Sequence, residues 1–194
     1  MKIGFDLDKI FINTPPLLPI FIINKFYKAR DNGILLYRIP SRAEQLLLRK
    51  PAHLPFLRQP IKQNFAFLKT LAKDKNNHLY LISSRFEFLK PETELLVKKY
   101  GLDKIFEKLY FNYENKQPHK FKNEILQELK LDLFVDDDLS LVRYVAKDNP
   151  KTQFFWLDDR TKFAKLTTNI TAIANLEQMF QSRESGIRNQ ENKN

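Results

Sequence analysis

Five short apolar runs, rich in β-branched or aromatic residues, alternate along this chain with segments whose apolar residues recur at helical spacing. The runs are Lys2–Leu7, His78–Ser83, Leu109–Asn112, Leu131–Val135 and Gln153–Leu157. The helical segments are Asn64–Lys73, Glu94–Tyr100, Asn123–Leu131 and Leu139–Ala146. Such alternation is the pattern of right-handed βαβ units. Runs that are apolar at successive positions fit strands covered by helices on both faces. The expected fold is α/β, a doubly wound parallel sheet of five strands. With 43% hydrophobic residues and 17 Phe in 194 positions, the chain has the apolar surface to build that core, and intrinsic disorder is excluded.

Composition removes several chemistries. There is no cysteine, so disulfides, thiolate metal sites and cysteine nucleophiles are out. Only four glycines are present, and neither GxGxxG nor GxxxxGK[ST] occurs, so a glycine-rich phosphate loop is out as well. The start, Met1-Lys2-Ile3-Gly4-Phe5-Asp6, reads as a strand carrying a carboxylate rather than as a signal peptide. The apolar stretch near Leu17–Ile23 is broken by Pro19 and falls short of the ~20 residues of a membrane span. A cytoplasmic location is expected.

The rhythm is interrupted once, between the first strand and the Asn64 helix. This stretch is far longer than the usual βα loop of about 2–6 residues. It contains Pro15, Pro16, Pro19, Pro40, Pro51 and Pro55, and two expected helices, Leu17–Ala29 and Arg42–Arg49. From Thr14 to Pro60 it carries eight Lys or Arg against Asp31 and Glu44, which is most of the net charge of +10. An insertion at this point lies over the carboxyl edge of the sheet, where open α/β folds bind ligands. A basic cap there suits an anionic substrate; a solvated basic face is the plainer reading. The tail from Arg183 is nearly devoid of apolar residues and is expected to be disordered.

Chemistry concentrates at the strand ends. The first strand runs into Asp6-Leu7-Asp8 and the fourth into Asp136-Asp137-Asp138. In a parallel sheet these ends share an edge, so carboxylates from distant parts of the chain converge, which is unfavourable unless a cation offsets them. Oxygen-only ligands point to a hard ion such as Mg2+. Asp137 or Asp138 could instead cap the Leu139 helix, whereas Asp6 interrupts an apolar strand. On the same edge the second strand ends in Ser83-Ser84-Arg85, and Lys116, Lys120 and Lys122 precede or enter the Asn123 helix.

The order strand–DxD, strand–Ser, Lys at a helix and strand–DD resembles the haloacid dehalogenase (HAD) superfamily of phosphohydrolases over residues 1 to about 160. Within it, LYLISS and HKFKNEILQELKLDLFVDD look nearest to the deoxyribonucleotidase-like branch and its uncharacterised bacterial relatives. The resemblance implies a Rossmann-like catalytic core over 1–13 and 61–182, a small cap over 14–60, and a tail over 183–194. It implies an aspartyl-phosphate mechanism with Asp6 as nucleophile and Asp8 as general acid/base. Ser83 would hold phosphate oxygens together with Lys122 (Lys120 being the alternative), and Ser84 would be a further phosphate contact. Mg2+ would be held by Asp6, the main-chain carbonyl of Asp8, and Asp137, with Asp136 in support. Arg85, Phe86, His119 and the basic residues of the insertion are candidates for contact with a phosphorylated small molecule or phosphoprotein.

One departure stands out. Where the family places glycine after the second aspartate, this chain has Lys9, which implies an altered loop and an ammonium that enters the site or points to solvent. Two rival readings use other chemistry. A nucleotide-sugar transferase also uses DxD, but needs a nucleotide-binding region ahead of it, and Asp6 leaves no room. A basic nucleic-acid- or protein-binding module, including a catalytically altered HAD scaffold, fits the charge. The chain, however, shows no RNP, zinc or helix-turn-helix pattern.

Overall fold

The structure is a computed structural model that describes residues 1–14, 28–31 and 34–180. Its strands are β1 (Lys2–Phe5), β2 (Lys28–Asp31), β3 (Ile34–Tyr37), β4 (His78–Ser83) and β5 (Lys108–Phe111). They continue with β6 (Leu133–Asp136), β7 (Gln153–Leu157), β8 (Ala164–Thr167) and β9 (Ile170–Ile173). The longer helices are α1 (Lys62–Leu71), α2 (Lys90–Tyr100), α3 (Pro118–Leu129) and α4 (Leu139–Asp148).

Among the described residues the main sheet has seven strands in the order β5-β4-β1-β6-β7-β9-β8, not the five expected. The five expected strands take the first five places and are all parallel. The sheet then continues through β9, parallel to β7, and ends in antiparallel β8. Strand β8 (AKLT) is exposed along its whole length and so has no apolar alternation to betray it.

Side-chain parity builds the two layers. Ile3, Phe5, Leu79, Leu81, Leu133 and Val135 pack with Leu68 and Leu71 of α1 and with Leu96 and Val97 of α2. Tyr80, Ile82, Phe134 and Phe154 pack on the opposite face with Phe121 and Leu126 of α3 and with Leu141, Val142 and Val145 of α4. Each fully buried Phe or Leu contributes roughly 1.5–3 kcal/mol, so both faces of the central strands are fixed. Gly4 sits on the α3/α4 face of β1, and a Cβ there would collide with Leu131 and Phe134.

The 14–60 stretch leaves and rejoins the core side by side. Asn13 N–H donates to the Gln59 carbonyl at 2.9 Å and Ile61 N–H to that of Phe11 at 2.8 Å. An entirely helical insertion is not what forms. Strands β2 and β3 pair as an antiparallel hairpin within it. The helix expected over Leu17–Ala29 lies outside the described residues except for Lys28 and Ala29, which open β2. The expected Arg42–Arg49 helix forms within a helical stretch over 42–52, begun by a Ser41/Glu44 capping box and containing a π-helical turn, Gln45–Arg49. The tail expected to be disordered lies outside the described residues. No described helix is long and apolar enough to cross a membrane.

Candidate active site

Register sets the centre of the site. Phe5 pairs with Val135, so the next residues on the two strands, Asp6 and Asp136, emerge side by side, and Asp6 N–H continues the ladder to the Val135 carbonyl at 2.9 Å. Even-numbered positions of β1 and β6 face α3 and α4, as Gly4 and Phe134 do. Lys122, on the second turn of α3, therefore points at both carboxylates. Its Nζ donates to Asp6 Oδ1 at 2.7 Å and to Asp136 Oδ2 at 2.6 Å, with the side chain 3% exposed. Pro118 starts α3 earlier than the sequence pattern indicates, so Lys122 is inside the helix rather than ahead of it. Lys120, the alternative, is exposed.

Asp6, Asp136 and Asp137 each offer an oxygen within 4.8 Å of the others. Three converging carboxylate oxygens fit a hard divalent cation. Burial pushes the Asp6 carboxyl up to about 8; Lys122 opposes that rise, while Asp136, Asp8 and Asp137 add to it. Asp137 is pushed up in the same way by burial, against the pull of Lys9. For Lys122, the two carboxylates outweigh burial and raise the ammonium above its usual range. Asp138 acts as the helix cap, accepting from Ser140 N–H at 3.0 Å and Leu141 N–H at 3.3 Å.

Asp8 is held by two guanidinium groups. Arg85 donates from Nε to Oδ2 and from Nη2 to Oδ1, both at 2.8 Å, and Arg58 of the insertion also donates to Oδ1. Burial would raise this carboxyl, but Arg85 and Arg58 prevail and hold it well below the usual carboxylate range. His53 is buried beside the same group, with Nδ1 2.7 Å from the Arg49 carbonyl. Its imidazole is held well below its ordinary value by burial and by Arg85 and Arg58.

Lys9 takes a backbone conformation that glycine adopts freely and other residues rarely do. Its φ is +59°, the left-handed region that costs a non-glycine residue roughly 1–2 kcal/mol. The ammonium turns inward, Nζ donating to Asp137 Oδ2 at 2.7 Å.

The remaining expected site residues lie around this centre. Ser83, at the end of β4, is buried, and the Ser84 hydroxyl is buried with no hydrogen-bond partner among the described residues. Phe86 is buried, with its ring 6.1 Å from that of Phe88. His119 is not at an open cleft but packed between Tyr37, at 5.9 Å, and Tyr144, at 4.5 Å. Sequence reasoning did not single out Tyr37, Gln117, His53 or Trp156. Tyr37 of β3 donates from its hydroxyl to Asp138 at 2.6 Å, and its main-chain N–H and C=O are bound by the Gln117 side chain at 2.8 and 3.1 Å. Trp156 Nε1 donates to the Asp137 carbonyl at 3.0 Å. Nothing in their local sequence marks these residues; only register and chain reversal bring them here.

No family model matches the chain, and no curated protein does. Solved structures do. A haloacid dehalogenase-like family hydrolase from Xanthomonas campestris superposes with a TM-score of 0.59 at 13% identity, over 95% of this chain and 94% of that one. A HAD-superfamily hydrolase from Ehrlichia chaffeensis gives 0.54 at 12% identity, over 96% and 97%. A haloacid dehalogenase-like family hydrolase from Streptococcus pneumoniae gives 0.53 at 16%, over 81% and 84%. This chain has the HAD fold. In two of these superpositions the fold likeness extends over nearly all of the chain.

Proposed function

We propose that this protein is a HAD-superfamily phosphatase, hydrolysing a phosphomonoester through an aspartyl-phosphate on Asp6 with the help of Mg2+. The observation that carries the reading is the Lys122 ammonium bridging Asp6 and Asp136, with Asp137 close enough to complete a cation site. The domain reading is retained: a core over 1–13 and 61–182, and a basic cap over 14–60.

Asp6, Asp137 and the main-chain carbonyl of Asp8 would hold the ion, with Asp136 in support. When bound, it would screen nucleophile from phosphate and polarise the phosphoryl oxygens. The chain's own residues do the rest. An Asp6 oxygen attacks phosphorus while the bond to the leaving oxygen breaks, giving an acyl phosphate that water then hydrolyses. Lys122 and Ser83 steady the equatorial oxygens as charge spreads over them. Asp8 protonates the leaving oxygen and later takes a proton from the attacking water. Held by Arg85 and Arg58 it is an anion, so it must part from those guanidinium groups and gain a proton before the first step. A phosphate drawn in by the same arginines provides the exchange.

The substrate is a phosphorylated small molecule, a nucleotide among them, or a phosphoprotein, met in the cytoplasm. The clamp on Asp8 also favours a second reading, a catalytically altered HAD scaffold in which this residue never titrates. Hydrolysis of a generic aryl phosphate with and without EDTA decides between them. Metal-dependent release supports the phosphatase, and no release across a panel of phosphorylated metabolites and phosphopeptides supports the scaffold.

A further inference from the structure

Five carboxylates meet at the carboxyl edge of the sheet, and each has a partner within the chain. Lys122 serves Asp6 and Asp136, two arginines serve Asp8, and Tyr37 and the α4 amides serve Asp138. Asp137 is served by Lys9. That last pairing differs in kind. Lys122 and Arg85 are buried on regular elements or at their ends, whereas Lys9 sits on the turn after β1, with its side chain 40% exposed. It holds its position at a strained φ of +59°. The charges around it are Asp137, Asp138 and Asp8, with Asp158 near enough to feel it.

We infer that Lys9 is a tethered counter-ion that occupies the Asp137 corner of the proposed cation site and that a divalent ion must displace it to bind. The inference rests on the metal reading above. Asp6, Asp136 and Asp137 carry three negative charges when ionised, and Lys122 and Lys9 nearly balance them before any metal enters. A divalent ion that takes Asp137 meets an ammonium on one of its carboxylate oxygens. It must repel that ammonium or expel it, and a flexible, half-exposed lysine is readily expelled to solvent. Lysine in place of glycine at this turn therefore sets metal affinity low and leaves a mobile cation at the mouth of the site once metal is bound, facing the incoming phosphate.

The test is Mg2+ affinity by isothermal titration calorimetry, with no substrate present, for the wild type, Lys9→Met and Lys9→Gly. Methionine keeps the Cβ and the bulk while removing the charge; glycine also relieves the positive φ. Removing a like charge a few ångströms from the ion makes both variants bind Mg2+ about ten-fold tighter than wild type. Lys9→Arg, keeping the charge, stays near wild type. Equal or weaker Mg2+ binding by both neutral variants overturns the inference and leaves the metal site standing, since the ion then uses the other Asp137 oxygen beside an undisturbed Lys9. Absence of Mg2+ binding in all four proteins overturns the metal reading itself, and this inference with it.

Discussion

Arg85 grips both oxygens of the Asp8 carboxylate, each at 2.8 Å, in the two-pronged geometry that only a guanidinium provides. Arg85 lies three residues beyond Ile82 in the β4 segment, and Asp8 follows β1, so the pair ties adjacent strand ends together. Arg85→Lys keeps the charge and loses one prong. It is expected to raise the pH below which Asp8 carries the proton the first half-reaction is proposed to need, shifting the alkaline limb of kcat/KM upward. Arg85→Met is expected to destabilise the fold by about 2 kcal/mol, below the full value for a buried pair because Arg58 remains and Asp8 is partly exposed. A pH–rate profile and urea unfolding check the two statements.

His53 and Asp8 each lower stability in acid, while Asp6 and Asp137, both pushed up by burial, work in the opposite direction as pH falls from about 8 towards 4. His53 has its folded-state value depressed, so the unfolded chain binds the extra proton and stability drops as pH falls below about 6.5. Asp8 is depressed too, below an unfolded value near 4, so the clamp's contribution is complete above about pH 4 and is lost as pH falls below it. Unfolding midpoints of wild type and His53→Gln compared from pH 8 to 3 isolate the His53 contribution, with wild type expected to lose ground on the variant as pH falls below about 6.5.

Asp6→Asn should separate chemistry from folding. The variant lacks the proposed nucleophile, and turnover of aryl phosphate is expected to fall to background. Because burial and three neighbouring carboxylates push the Asp6 carboxyl up to about 8, a neutral amide suits the site, and the apo variant should melt at or above the wild-type temperature. Turnover retained in this variant removes Asp6 from the mechanism.

Removal of the proposed metal should act on stability as well as rate. EDTA is expected to abolish turnover. Mg2+ at about a hundred times its dissociation constant should stabilise the fold by about 2.7 kcal/mol, visible as a higher Tm.

Tyr37→Phe should loosen the insertion. The hydroxyl bond to Asp138, at 2.6 Å, is worth about 1 to 2 kcal/mol, since its acceptor is a carboxylate. Faster amide exchange in β2 and β3, with the core strands unchanged, is the expected signature.

The central strands and their helices were legible because their apolar runs answer to burial on two faces, as Phe5 and Phe134 show from opposite layers. Asp6 and Asp136 could be placed on one edge for the same reason. The β2–β3 hairpin was not legible: its pairing serves a basic, proline-flanked stretch whose pattern is not that of a core element. Strand β9 (ITAI) is buried throughout but too short to stand apart from a helix or loop. Arg58 could be counted as one more cation of the insertion, yet its approach to Asp8 depends on chain reversal across fifty residues. The direction of the Lys9 side chain is likewise a three-dimensional fact. A positive φ at a lysine cannot be read from its neighbours in sequence.

Trp156 is the single tryptophan of the chain, and its indole N–H rests on the main-chain carbonyl of the same Asp137 whose carboxylate Lys9 holds. The protein thus carries its own optical probe within one residue of its acidic centre. Emission colour and quenching are expected to report the proposed cation arrival and ammonium departure in real time, without any attached dye.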